Sequence, residues 1–213
     1  MRYERKYRVD DLGLSVVQQI VRMHPFSFKK AYPDRRVNNI YYDTPDHSTY
    51  YDNVAGVPER SKYRVRWYGT VTEEVSKPNF EVKFKRHLLG SKWTKKLEDF
   101  NLSNLKNLNQ QVDKIEHNAG KLFPVLANAY HRSYYISSDG HFRITIDSQL
   151  NFKPSTKLGI LQLNQSSPFG SDIIVELKYD EIYDDLADQV MQYIPFRNTK
   201  NSKYVTGLSL VMT

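Results

Sequence analysis

Tyr63-Arg64-Val65-Arg66-Trp67-Tyr68-Gly69 and, a little further on, Phe80-Glu81-Val82-Lys83-Phe84-Lys85 decide how the rest of the chain is read. Both stretches alternate charged and apolar side chains with a period of two. Successive side chains of a strand point to opposite faces, so residues i and i+2 share a face. Arg64 and Arg66 then lie together, with Val65 and Trp67 behind them. Glu81, Lys83 and Lys85 repeat the arrangement, backed by Val82 and Phe84.

The same parity recurs elsewhere. Glu4, Lys6 and Arg8 share a face near the N-terminus. Arg143 and Asp147 lie opposite Phe142, Ile144 and Ile146, and Glu176 and Lys178 alternate with Val175, Leu177 and Tyr179. One solvated face of an antiparallel sheet is ordinarily charged, which explains any one of these strands taken alone. The balance of sign points further. With Arg132 and Lys203 added, the bases are Lys6, Arg8, Arg64, Arg66, Lys83, Lys85, Arg132, Arg143, Lys178 and Lys203, and the acids only Glu4, Glu81, Asp147 and Glu176. A face serving solubility mixes the two signs more evenly. Crowded like charges cost stability unless an anion neutralises them. If such a sheet closes, its charged face lines a channel suited to a linear polyanion, and its apolar face packs outward under helices.

Composition agrees with a soluble globular chain. The 213 residues carry 31 Lys+Arg against 24 Asp+Glu, a formal +7, which points to an anionic partner. A single domain over residues 1–213 is expected at this length. The absence of Cys excludes disulfides, thiolate metal sites and a Cys nucleophile. No apolar run approaches the ~20 residues of a membrane span, and Met1-Arg2-Tyr3-Glu4-Arg5-Lys6 has no apolar core of a secretory signal behind it. A cytoplasmic location is the expectation.

The 16 Tyr, 10 Phe and 2 Trp favour strands. Strands are predicted over Arg2–Val9, Val37–Tyr42, Arg60–Tyr68, Phe80–Arg86, Lys92–Leu97, Tyr130–Ser137, His141–Phe152, Gly159–Leu163 and Ser171–Tyr179, with a turn at Ser138-Asp139-Gly140. Helices are predicted over Leu12–Met23, capped by Asp10-Asp11 with a stripe of Leu12, Val16 and Ile20, and over Ile182–Tyr193, capped by Asp180 with a stripe of Ile182, Leu186 and Val190. Asn101–Asn118 reads as helix or loop, and Ser202–Met212 as helix or strand. The class is α+β, mainly β.

Arg64 and Arg66 are the sharpest pair, because a guanidinium fork makes two parallel hydrogen bonds to phosphate oxygens. Glu176 is the best metal-ligand candidate, since Mg²⁺ and Mn²⁺ prefer carboxylate oxygens while bridging phosphates. No Walker-type loop, dinucleotide fingerprint or nucleophile elbow is present. The six His (24, 47, 87, 117, 131 and 141) lack metal spacing.

Glu4-Arg5-Lys6-Tyr7, Tyr63 to Gly69, Phe80-Glu81-Val82-Lys83, Tyr130-His131-Arg132, Phe142 to Asp147, Val175-Glu176-Leu177-Lys178 and Lys200-Asn201-Ser202-Lys203, in that order, resemble the VTC polyphosphate polymerase domain. That domain belongs to the triphosphate tunnel metalloenzymes, which include the CYTH hydrolases. The resemblance implies a closed antiparallel eight-stranded β-barrel with flanking helices. It also implies transfer of the γ-phosphoryl group of ATP onto inorganic polyphosphate, assisted by Mn²⁺ or Mg²⁺. Carried over residue by residue, Lys6, Arg64, Arg66, Lys83 and Lys203 form the catalytic set. Arg132, Arg143, Lys95 (or its neighbour Lys96), Lys200 and Ser202 hold phosphates, and Glu176 holds the metal. Lys85 and Lys178 join the phosphate set through the alternation.

Many relatives in the tunnel group open with Glu-x-Glu-x-Lys, whereas this chain has Glu4-Arg5-Lys6, which weakens the case for a second metal that activates water. A triphosphate hydrolase on the same scaffold and a passive binder of polyphosphate or nucleic acid remain as alternatives. Nucleic acid is not the expected partner, because Trp67, Phe84 and Phe142 fall opposite the bases rather than among them. The sensing and transmembrane regions attached to this domain in eukaryotic relatives are not in this sequence, so a separate membrane or regulatory partner is compatible with it.

Overall fold

A computed structural model describes residues 2–86, 89–116, 120–156, 160–162, 164, 167–168 and 172–212. In chain order the first elements are β1 (Arg2–Val9), α1 (Leu14–Arg22), β2 (Lys29–Asp43), α2 (Ser48–Ala55) and β3 (Glu59–Tyr68). Then come β4 (Glu74–Val75), β5 (Asn79–Arg86), β6 (Leu89–Lys96), β7 (Phe100–Asn101), α3 (Lys106–Ile115) and β8 (Phe123–Ile136). The chain closes with β9 (Phe142–Pro154), β10 (Ser167–Pro168), β11 (Ile173–Asp180), a 3-10 turn at Glu181–Tyr183, α4 (Asp184–Met191) and α5 (Lys203–Met212). The fold is α+β and mainly β. It divides into two compact units: Met1–Arg35, Tyr130–Leu150 and Phe169–Asn201 form the first, and Arg36–Ala129, Asn151–Pro168 and Ser202–Thr213 the second.

In the first unit β11 lies between β1 and β9, antiparallel to both. Register sets the faces. Tyr7 pairs with Val175, Arg5 with Leu177, Leu177 with Ile144 and Tyr179 with Phe142, so these side chains share the apolar face. The apolar ones are buried with Val17 and Val21 of α1 and Ala187 and Val190 of α4. Arg5 reaches across this face: its guanidinium donates to Tyr179 Oη, Asp184 and Asp188, tying the sheet to α4. The predicted turn between β8 and β9 forms, with the Gly140 N–H donating to Ser137 O and a Gly140 φ of 77° that glycine adopts without strain.

The second unit carries β3 between β2 and β5, with β6 beside β5, all antiparallel where the register is defined. Ile40, Tyr42, Tyr63, Val65, Trp67, Phe80 and Val82 form its apolar face, covered by Leu108 and Val112 of α3. At the start of α2 the buried Asp43 carboxylate accepts the Thr49 and Tyr50 N–H groups and the Tyr204 hydroxyl of α5. Those donors would otherwise be orphans of a helix start. Gly207 lets α5 approach closely: a Cβ there would collide with the Phe152 ring and Leu126.

Several expectations need correction. Helix α1 starts at Leu14 with Gly13 as its N-cap, and no side chain caps it, so Asp10-Asp11 does not do so. Its buried residues are Val17 and Val21, while Val16 is 43% exposed. Ile182 is 82% exposed, in the 3-10 turn ahead of α4, so it is not part of that helix's buried stripe. Asp180 precedes the turn without making a side-chain cap. Helix α2 was not anticipated, and β2 and β8 are far longer than predicted. Ser155 and Leu161 form an isolated bridge where a strand over Gly159–Leu163 was expected; 159 and 163, like Ser171, His87 and His117, lie outside the described residues. Of the two ambiguous segments, the first contains α3 and the second is helix α5.

Candidate functional site

Each unit presents a charged sheet face. In the second unit, direct cross-strand partners share a face, so the register can be read rung by rung. Arg60 pairs with Lys85, Lys62 with Lys83, Arg64 with Glu81 and Arg66 with Asn79. Lys83 pairs in turn with Lys92, Glu81 with Thr94 and Asn79 with Lys96. One rung is therefore Lys62–Lys83–Lys92, three ammonium-bearing side chains abreast. Like charges placed directly opposite are destabilising.

Glu81 is the carboxylate that makes this face foldable. It is 4% exposed and takes 2.8 and 2.5 Å hydrogen bonds from Arg64 Nε and Nη2 and a 3.0 Å bond from Lys92 Nζ. Arg66 Nη1 stands 3.9 Å away. Burial alone would raise its pKa, but Arg64, Arg66 and Lys92 outweigh it and hold the carboxyl at about 2. Because the folded value lies below the unfolded one, the ionised cluster stabilises the fold fully above pH ~4.5 and loses that contribution as pH falls to about 2. The shift corresponds to about 3 kcal/mol. Glu81→Gln is expected to be less stable than wild type by about that amount at pH 7, with the two converging near pH 2. Urea unfolding at pH 7, 4 and 2.5 checks this.

Arg66, 7% exposed, is fixed from the other side. Its Nε donates 2.8 Å to Asn39 Oδ1, and Asn39 Nδ2 donates 2.7 Å to Asn128 Oδ1. Ser202 immediately precedes α5; its Oγ accepts from Lys62 Nζ at 2.9 Å and from the Val205 N–H. Lys203, 8% exposed, opens that helix.

In the first unit, Lys6 pairs with Glu176, Glu4 with Lys178, Glu176 with Thr145 and Lys178 with Arg143, again on one face. Lys178 Nζ lies 2.8 Å from Glu176 and 3.4 Å from Glu4; Lys6 Nζ lies 3.4 Å from Glu4 and 3.9 Å from Glu176. Two lysines thus bridge two carboxylates. Arg132 grips Asp147 with Nε and Nη2 at 2.5 and 2.6 Å, and Nη2 stands 3.6 Å from Glu176. Burial opposes the Arg132 charge, but the Asp147 carboxylate more than offsets this and holds the guanidinium well above its ordinary range. Lys6 also donates to Asn201 O at 3.1 Å, beside Lys200 in the last motif. Arg143 and Lys200 are exposed.

Glu176 and Glu4 offer the hard oxygen donors that Mg²⁺ or Mn²⁺ takes. Thr145, opposite Glu176, has a buried Oγ1 without a hydrogen-bond partner. This donor set fits a divalent ion that completes its shell with water and phosphate oxygens. Among the described residues, no group of three or more His, Asp or Glu could hold a metal by protein ligands alone.

The predicted residues therefore separate by unit. Arg64, Arg66, Lys83, Lys85, Ser202 and Lys203 belong to the second, and Lys6, Arg132, Arg143, Glu176, Lys178 and Lys200 to the first. Lys95 is a correction. It pairs with Phe80, on the apolar side of β6, whereas Lys96 pairs with Asn79 and shares the face of Arg66. Phe84 and Trp93 lie on that apolar side too, yet are 42% and 44% exposed. Lys62 and Lys92 were missed although Lys62 has the parity of Arg64; Asn39 and Asn128 carry no sequence signal of their own.

Among the described residues, no helix is long and apolar enough to cross a membrane. No curated protein is a significant match to the sequence. Among solved structures the chain is similar to a candidate adenylate cyclase from Vibrio parahaemolyticus (15% identity, 98% of this chain and 97% of that one, TM-score 0.57). It is also similar to a protein from Pyrococcus horikoshii (13%, 99% and 99%, TM-score 0.53). A third is a candidate adenylyl cyclase from Hippeastrum described as having a dominant triphosphatase activity (16%, 98% and 96%, TM-score 0.52). At these identities the likeness is one of fold. The family model for the VTC domain matches residues 1–212, and the chain belongs to that family.

Proposed function

We propose that this chain is a metal-dependent ATP–polyphosphate phosphotransferase, moving the γ-phosphoryl group of ATP onto a growing polyphosphate chain. The observation that carries the reading is the Lys62–Lys83–Lys92 rung beside Arg64 and Arg66, a face on which bases far outnumber Glu81. A ligand bearing several negative charges complements such a face. Family membership supports the same ligand class. Closure of the long strands into an eight-stranded antiparallel barrel is part of this proposal.

Phosphoryl transfer needs in-line positioning and neutralisation of the equatorial oxygens rather than covalent help. Lys6, Arg64, Arg66, Lys83 and Lys203 serve the transferring group; Lys85, Lys96, Arg143, Lys178, Lys200 and Ser202 hold neighbouring phosphates. Arg132, held by Asp147 and 3.6 Å from Glu176, belongs with the residues that hold neighbouring phosphates. Glu176, with Glu4 beside it, would hold Mn²⁺ or Mg²⁺, which would supply charge neutralisation for the phosphates. The incoming polyphosphate oxygen is already ionised, so no general base is required. A triphosphate hydrolase is the second reading, favoured by the activity described for the Hippeastrum structure.

Incubation with ATP and Mn²⁺, with products resolved on a gel, should yield ADP and long phosphate chains with little free phosphate. Phosphate release without chains would establish the hydrolase, and absence of metal-dependent turnover a passive binder. Arg66→Ala should weaken tripolyphosphate binding by about 1.5–3 kcal/mol, and Arg66→Lys should recover only part of it, because charge returns without the fork. Equal affinity of wild type and Arg66→Ala in a titration at fixed salt would remove Arg66 from the site.

A further inference from the structure

The hydrogen bonds behind Arg66 have a direction that cannot be reversed. A guanidinium has donors only, so Asn39 must turn its oxygen toward Arg66 Nε, at 2.8 Å. Asn39 Nδ2 is then committed to Asn128 Oδ1, at 2.7 Å. Asn128 in turn is left with its Nδ2 pointing elsewhere, and that nitrogen is buried without any hydrogen-bond partner. Asn39 and Asn128 are 0% and 4% exposed, so bulk water does not serve them. Turning the Asn128 amide over would place its Nδ2 against Asn39 Nδ2 and gain nothing. Because Asn39 lies directly across from Arg66, the relay sits on the charged face of the second unit.

From this we infer that Asn128 is a phosphate-binding residue: its Nδ2 donates to an anionic oxygen of the bound polyphosphate, and Asn39 is the positioning residue that couples it to Arg66. A buried donor left unsatisfied in the free protein is costly and calls for an explanation, and on this charged face an arriving anionic oxygen supplies one. A neutral amide contributes something the lysines do not. It has fixed direction and little attraction for monovalent anions, so it selects an oxygen at one position along the chain. The inference rests on the phosphate-binding role proposed for Arg66.

The experiment is a calorimetric titration of the full chain with sodium tripolyphosphate, on wild type, Arg66→Ala, Asn128→Ala and Asn128→Asp, with thermal unfolding of each without ligand. Asn128→Asp keeps the acceptor for Asn39 and so keeps the relay, but removes the donor. Asn128→Ala removes the donor without adding charge. Both should raise the tripolyphosphate Kd at least tenfold, while Asn128→Asp, which buries a carboxylate, should also unfold at a lower temperature, so the affinity of the folded protein is what decides. If Arg66→Ala weakens binding while both Asn128 variants bind as wild type does, the inference fails and the function proposed above stands. If wild type does not bind tripolyphosphate, both fail together. A lowered unfolding temperature with unchanged affinity would make Asn128 purely structural.

Discussion

Glu176→Gln is expected to lower ATP turnover by ~10²–10³, the usual cost of removing one key electrostatic group from a phosphoryl-transfer site. The substitution nearly preserves volume, and Gln can still accept from Lys178, which stands 2.8 Å from the carboxylate and is partly open to solvent. The protein should therefore fold. It should bind tripolyphosphate as well as wild type or better, because a repulsive negative charge has gone. On the proposed reading rate would be lost without binding, because the carboxylate would serve the metal and not the phosphate directly. Turnover and titration on one preparation check the two halves together. Full activity at low Mn²⁺ would show that Glu176 does not hold the ion, and that its ion pairs with Lys178, Lys6 and Arg132 are its whole role.

Asp147→Asn should cost about 3–5 kcal/mol of stability, the range found when one partner of a buried ion pair is removed. Asp147 is fully buried and receives two parallel hydrogen bonds from Arg132, itself 9% exposed. An Asn at this position sets an NH₂ against one of the guanidinium donors and leaves the buried cation only the more distant Glu176, 3.6 Å from Nη2. For a protein of this length the melting temperature should fall by roughly 10 °C. Arg86–Glu59 provides the contrast. It is of the same chemistry at 2.7 Å, but its side chains are 80% and 65% exposed, so Arg86→Ala should change stability by less than ~1 kcal/mol. Thermal unfolding of both variants distinguishes burial from ion pairing as the source of the effect.

The strands and their faces were legible because alternation is a local property. Arg2–Val9 was found to the residue, and the parity of Arg64, Glu81, Arg143 and Glu176 holds in the register. Helices were read less well. Leu12, Val16 and Ile20 have helical spacing, yet neighbouring Val17 and Val21 are buried, because which apolar stripe turns inward depends on the sheet beneath it. Helix α2 was invisible, since its start is held by the carboxylate of Asp43 on the preceding strand and its packing by Tyr204, 161 residues further on. Lys95 was preferred over Lys96 because adjacent lysines read alike until a partner strand fixes which one faces which way. The Asn39–Asn128 contact spans 89 residues between two amides with no pattern around them. A pair of this sort becomes visible only when the strands are laid side by side.

If the chain binds polyphosphate as proposed, the lysine rung also makes that polymer a component of the protein's own stability. Lys62, Lys83 and Lys92 lie directly across from one another, with Lys92 paired to Glu81, and a bound polyanion would add further neutralisation to this face. Binding to the native state alone adds about 2.7 kcal/mol at a ligand concentration a hundredfold above Kd. Under the proposed function, product that stays bound would therefore protect the protein against unfolding.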